Sequence, residues 1–168
     1  MLNPCSGCPA HCCKNYLITV TSFDVFKLSK RLDKMPDEFA GFYPAKILSY
    51  DWDTVLHFYD ETKLPDYALL ALKSRPCIFL ENNKCSIHDF SPAVCKRYPR
   101  DLGGKLNTRH CSLFSKLLFL VGGRNPDGLQ SEYGNYKKIV KSWNTKKGRK
   151  DDCMKFLMEE SAKQCQFK

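Results

Sequence analysis

The chain has 168 residues, 43% of them hydrophobic, which suffices for one buried core but not for two ordinary domains and a linker. Ten cysteines therefore need another reason than stapling a chain too small to fold, and no run of apolar residues approaches the ~18 of a membrane span. The formal charge of +9 counts every thiol as neutral, so part of the basic surplus balances thiolates rather than specifying a nucleic acid.

Met1-Leu2-Asn3-Pro4-Cys5 lacks a basic region followed by an apolar one, and no Asn-x-Ser/Thr sequon occurs. The expectation is a cytoplasmic protein, where closely spaced free thiols serve as metal ligands or redox groups. Cys5 to Cys13 is too rich in Pro, Gly and Cys for regular structure and is expected to be a metal-binding loop. Ser22 is the expected cap of a helix through Leu32, with Val25, Phe26, Leu28 and Leu32 as its apolar stripe. Pro36 closes the connection after it. From Phe39 to Leu72 apolar and aromatic residues hold neither the strand nor the helix period, and short helices are expected.

Cys77 to Leu80 and Lys84 to His88 flank Glu81-Asn82-Asn83, where Asn tolerates the positive φ of a tight turn; a small β-hairpin carrying Cys77 and Cys85 follows. Ser91-Pro92 reads as cap and first-turn proline of a short helix bearing Cys95. Three further helices are expected near Thr108 to Val121, Asp127 to Trp143 and Lys150 to Cys165, broken by Gly122-Gly123 and by the polar stretch Asn144 to Gly148. The fold class is thus mainly α, with irregular cysteine-rich metal-binding loops and a small hairpin, in a single domain. Residues 1–121 form the cysteine-cluster metal-binding region, and 122–168 a C-terminal helical extension packed on it.

The chemistry concentrates in Cys5-Ser6-Gly7-Cys8-Pro9-Ala10-His11-Cys12-Cys13, four thiols in nine residues. Cys5 and Cys8 have the spacing that lets one turn present both sulfurs to a metal, with Gly7 easing the bend. Successive side chains diverge from extended or helical backbone, so Cys12 and Cys13 are expected to serve two metals or two corners of a polynuclear centre. With Cys77, Cys85, Cys95 and Cys111 they make eight candidate ligands, two sets of the four thiolates that a closed zinc site or an iron-sulfur cubane takes. How the eight divide stays open. Each filled site carries about two negative charges, which Lys96, Arg97, Arg100 and Arg109 are placed to offset.

The opening C-x2-C-x3-C-C, with Arg75-Pro76-Cys77-Ile78-Phe79-Leu80, Cys85-Ser86-Ile87-His88 and Ser91-Pro92-x-x-Cys95-Lys96-Arg97-Tyr98-Pro99, resembles the YkgJ-type cysteine cluster family. The resemblance covers roughly Cys5 to Cys111 and implies a zinc- or iron-chelating domain with eight shared cysteines. Ser91 stands where an arginine is expected, and Cys153 and Cys165 lie outside the pattern. Flagellin lysine N-methylases resemble this family over their cysteine-rich part, which implies an iron-sulfur-dependent methyltransferase as an alternative. Against it, no glycine-rich nucleotide loop and no Ser-His-Asp pattern is present, and the chain is shorter than those enzymes.

The preferred reading is a [4Fe-4S] protein in electron transfer or as a cluster-dependent accessory, because zinc modules usually show two compact knuckles and this chain has one. A structural zinc protein docking on an acidic partner is the alternative. An acidic protein or redox partner is expected, and no specific nucleic acid. His11, His88 and His110 each neighbour a cysteine and are read as supporting rather than ligating. Cys153 is read as a small buried hydrophobe, Cys165 as exposed or frayed, and Tyr16, Phe79 and Tyr98 as shielding the site from water.

Overall fold

The structure is a computed structural model that describes residues 10–47, 51–59, 65–98 and 127–166. Its first long element, α2 (Ser22–Leu32), follows the short α1 (His11–Asn15). Thr21, not Ser22, caps α2. Its hydroxyl accepts from the Asp24 amide at 3.2 Å while the Asp24 carboxylate accepts from the Thr21 amide at 3.0 Å, a reciprocal box one residue earlier than the expected cap. Ser22 is instead buried in the first turn, where it accepts a hydrogen bond from Ser161 at 2.7 Å.

The segment expected to hold short helices contains a sheet. After the single-turn α3 (Pro36–Phe39) come β1 (Ala40–Pro44), β2 (Leu56–Tyr59) and β3 (Pro65–Leu72), all antiparallel in the order β1-β3-β2. Ala40 faces Leu72 and Leu56 faces Ala68 in the register. The central strand explains the misreading. Leu70 and Leu72 face the main core while Leu69 packs with Ala45 and Val55 on the opposite side, so β3 is apolar on both faces and shows no period of two. Residues ahead of α2 extend this pairing, with Val20 donating to the Leu70 carbonyl at 3.0 Å and Leu72 to Ile18 at 2.9 Å.

A second, two-stranded sheet joins β4 (Leu80–Glu81) to β5 (Lys84–Cys85) through Asn82 and Asn83 at φ 47° and 61°. The hairpin is where the asparagines placed it, with strands shorter than expected. The short α4 (Ala93–Arg97) carries Cys95, but its N-cap is Pro92, and Ser91 donates back to His88 at 3.0 Å rather than capping. Two long helices close the described chain, α5 (Asp127–Lys146) and α6 (Lys150–Gln166), each slightly longer than the sequence predicts. The helix expected over Thr108 to Val121 lies outside the described residues.

Helix therefore predominates, with more β-structure than one hairpin. Val25 and Leu28 of α2, Leu70 and Leu72 of β3, Ile139 and Val140 of α5 and Leu157 of α6 share one apolar cluster. Asn144 stitches α5 to β2: it accepts from the His57 amide at 2.9 Å and donates to the Val55 carbonyl at 2.8 Å. Trp143 adds an indole hydrogen bond to the His57 carbonyl at 3.0 Å. Among the described residues no helix is long and apolar enough to cross a membrane.

Candidate metal centre

Four separate segments carry the candidate cysteines among the described residues, and backbone hydrogen bonds set each segment. Ala10 takes a left-handed conformation, φ 57°, and its carbonyl accepts from the Lys14 amide at 2.9 Å, which starts α1 and sets Cys12 and Cys13 on a helical turn. The expected irregular loop is thus helical at its end; Cys5 and Cys8 lie outside the described residues. Cys13 then anchors the next segment, since its carbonyl accepts from the Cys77 amide at 2.7 Å. Cys77 follows the cis Arg75-Pro76 bond and is buried, three residues ahead of β4. The Cys77 carbonyl accepts from Leu80 at 2.9 Å and leads into the hairpin, where Leu80 pairs with Cys85.

Cys95 arrives from a fourth direction on α4. The free amide of Ala93 at the start of that helix donates to Asp24 Oδ1 at 2.8 Å, across 69 residues. Asp24 thereby caps two helices, its own and the one that carries a thiol. Sequence spacing marks Asp24 as the third residue of a capping box, but nothing in it links that residue to position 93.

The thiols act on one another electrostatically. Cys12 and Cys13 Sγ lie 3.9 Å apart, so the adjacent side chains do not diverge as expected. The Cys13 thiol hydrogen-bonds to Cys12 and lowers its pKa to about 7, while the same contact, burial and the Cys12 charge raise that of Cys13. Burial, then Cys85 and Cys12, push the Cys77 thiol up. Burial and the charge of Cys12 raise Cys85. Cys95 is raised furthest among these three, by burial first and then by Cys12, Cys77, Cys85 and Asp24. Every pair among Cys12, Cys77, Cys85 and Cys95 is thus within reach of the other's charge. Such a set is unfavourable as four bare thiolates and favourable around a cation, which fits a thiolate-bound metal.

Other expected residues divide unevenly. Cys111, His110, Arg100 and Arg109 lie outside the described residues. His11 contacts Asn15 at 3.3 Å and stands edge-on to Tyr16, and His88 lies 3.8 Å from Asp89. Phe79 is buried, with its ring 6.0 Å from Phe39. Tyr16 is 42% exposed. Cys153 is fully buried in α6, the small hydrophobe foreseen, and burial raises its thiol pKa. Cys165 is neither frayed nor exposed; it sits partly buried against the apolar cluster on α6. Among the described residues no group of three or more His, Cys, Asp or Glu side chains is arranged to hold a metal ion.

The family model described as "CxxCxxCC: Putative zinc- or iron-chelating domain" matches residues 4–112. The chain belongs to this family. The CxxCxxCC match takes in all eight candidate ligands, Cys5, Cys8, Cys12, Cys13, Cys77, Cys85, Cys95 and Cys111, and leaves out Cys153 and Cys165. It is the cysteine-cluster family that the spacing resembles, though this chain has three residues, not two, between its second and third cysteines. No curated protein and no solved structure matches the chain.

Proposed function

We propose that this protein holds a cysteine-ligated [4Fe-4S] cluster and serves in electron transfer or as a cluster-dependent accessory. The observation that supports the reading is the family match over all eight candidate cysteines, beside four thiols, Cys12, Cys77, Cys85 and Cys95, from four segments whose charges act on one another. Four is the ligand number of a cubane. Cys5, Cys8, Cys13 and Cys111 remain, the number of thiolates that a second site takes. In this reading residues 1–121 are the cluster region and 122–168 a helical extension, the compartment is the reducing cytoplasm, and the partner is an acidic or redox protein.

A bound cluster supplies a one-electron couple. The chain does the rest. Cys77 and Phe79 exclude water from one side, the Cys13 carbonyl holds the Cys77 backbone, and Asp24 fixes the helix that presents Cys95. Lys96, exposed beside Cys95, brings positive charge to a site whose thiolates are negative.

Zinc is the second reading, and one distance favours it. Two sulfurs on a single tetrahedral zinc, with Zn–S near ~2.3 Å, stand about 3.8 Å apart, against 3.9 Å for Cys12 and Cys13. Anaerobic purification followed by iron, sulfide and zinc analysis separates the two. The cluster reading predicts iron and acid-labile sulfide in equal amounts, with visible absorption that bleaches on reduction. Stoichiometric zinc without iron or sulfide overturns it in favour of a structural zinc protein.

A further inference from the structure

A groove of about 660 Å³ is lined by α2, α4, the start of α5 and the end of α6, outside the thiol set. Exposed Lys27, Lys30 and Arg31 of α2 form part of its lining, and exposed Lys96 of α4 another part. The two carboxylates in the lining are already engaged. Glu132 pairs with Lys27 at 2.6 Å, and buried Asp24 accepts from Thr21 and Ala93. Among the described residues no carboxylate pairs with Lys30, Arg31 or Lys96. Two of these three cations are held over half-buried rings of the same groove. Lys30 Nζ lies 5.8 Å from the centre of the Phe26 ring, and the Arg31 guanidinium 5.8 Å from that of Phe90. Contact with a ring places such a charge without neutralising it.

Charge narrows what such a groove takes. Four cations line it against two carboxylates, so it is positive before anything docks, and its complement carries acids. The chain's own parts fit poorly. Residues 99–126, which join α4 to α5, carry five Lys and Arg against one Asp, and the whole chain at +9 repels a second copy of itself. A nucleic acid is the less suitable polyanion. Asp24 and Glu132 oppose a phosphate backbone, and the Phe26 and Phe90 rings, on which bases would stack, each carry a cation on one face. Carboxylates on a peptide flanking an apolar side chain suit both the cations and the aromatic floor.

We propose that this groove docks an acidic segment of a protein partner, its carboxylates meeting Lys30 and Arg31 on α2 and Lys96 on α4, with an apolar side chain against Phe26 and Phe90. Such a partner is the acidic one of the function proposed above, on which this inference rests. Docking here brings it against the short helix that carries Cys95, the residue next to Lys96. The groove does not depend on which metal the thiols bind.

Fluorescence anisotropy with the full chain, purified with its metal, tests it. The probe is a labelled peptide of glutamate pairs separated by leucines, with its glutamine counterpart and a single-stranded RNA of equal length as controls. The glutamate peptide should bind about tenfold or more tighter than either control, and more weakly as salt rises. Lys30→Glu combined with Arg31→Glu, both exposed on α2, should lose about tenfold or more, whereas Lys141→Glu, exposed on α5 outside the groove, should change affinity less than about twofold. In the unmodified protein the ring resonances of Phe26 and Phe90 should shift on adding the peptide, a readout that stands if the double variant fails to fold. No binding of the glutamate peptide, equal binding of either control, an equal loss in Lys141→Glu, unchanged affinity in a folded double variant, or unshifted rings would each overturn the docking groove. Iron and zinc analysis of the same samples keeps the two readings apart: zinc without iron overturns the cluster and leaves the groove standing, while iron with no peptide binding does the reverse.

Discussion

Asp24 connects the fold with the segment that carries Cys95. Its carboxylate accepts from the Thr21 amide at 3.0 Å, the Thr21 hydroxyl at 2.8 Å and the Ala93 amide at 2.8 Å. Asp24→Ala removes two helix caps together and should cost about 2 kcal/mol, from a cap worth ~1 and an amide left without its acceptor. Urea unfolding of the metal-loaded protein measures this, and a loss within ±0.5 kcal/mol would contradict the double role. Asp51 gives a pH test. The Lys137 ammonium hydrogen-bonded to it holds its carboxyl below the ordinary 3.8, so its stabilisation is present above that value and lost as pH falls through the depressed one. Because both side chains are partly solvated, the contribution is under ~1 kcal/mol. Asp51→Asn should therefore be slightly less stable at neutral pH, with the gap closing in acid; a gap that widens in acid would reverse the assigned sign.

Between elements, the joint of α5 with β2 is the most exacting contact. Asn144→Ala would leave the His57 amide and the Val55 carbonyl without their partner, a cost of about 1–3 kcal/mol for each that stays dry. Gly148 tests the same joint sterically: a Cβ there would run into the Trp143 ring, which is held by its hydrogen bond to His57. Gly148→Ala should lower thermal stability by about 1–3 kcal/mol, as overpacking does, and an unchanged melting temperature would mean that the indole is free to move. The helices of this joint were legible in the sequence because apolar residues recur at helical spacing through Ile139, Val140 and Trp143 and again through Cys153, Phe156 and Leu157. The sheet was not. β3 is buried on both faces, and a short unbroken apolar run has no period to distinguish strand from helix. The β4–β5 turn was readable because two adjacent asparagines at positive φ are a local signal, whereas the Asp24 to Ala93 cap is long-range and leaves no local mark.

Across the whole molecule, the number and spacing of the cysteines point to metal without saying how the thiols divide. Spacing and the family resemblance select eight thiols, the helical apolar surroundings of Cys153 set it aside, and the family match spans the same eight. What spacing could not supply was that the charges of Cys12, Cys77, Cys85 and Cys95 act on one another, or that the Cys13 to Cys77 backbone bond and the Asp24 cap on α4 tie their segments into the fold. The central claim is that these four thiols hold one metal centre together. Its most direct test is metal content per chain, measured after anaerobic purification, in Cys12→Ser, Cys77→Ser, Cys85→Ser and Cys95→Ser beside Cys153→Ala. The account predicts that each of the four serine variants loses the same share of metal, that combining any two loses no more, and that Cys153→Ala keeps the full amount. Full metal content in the Cys77→Ser and Cys95→Ser proteins, or additive losses on combining them, would contradict a shared centre.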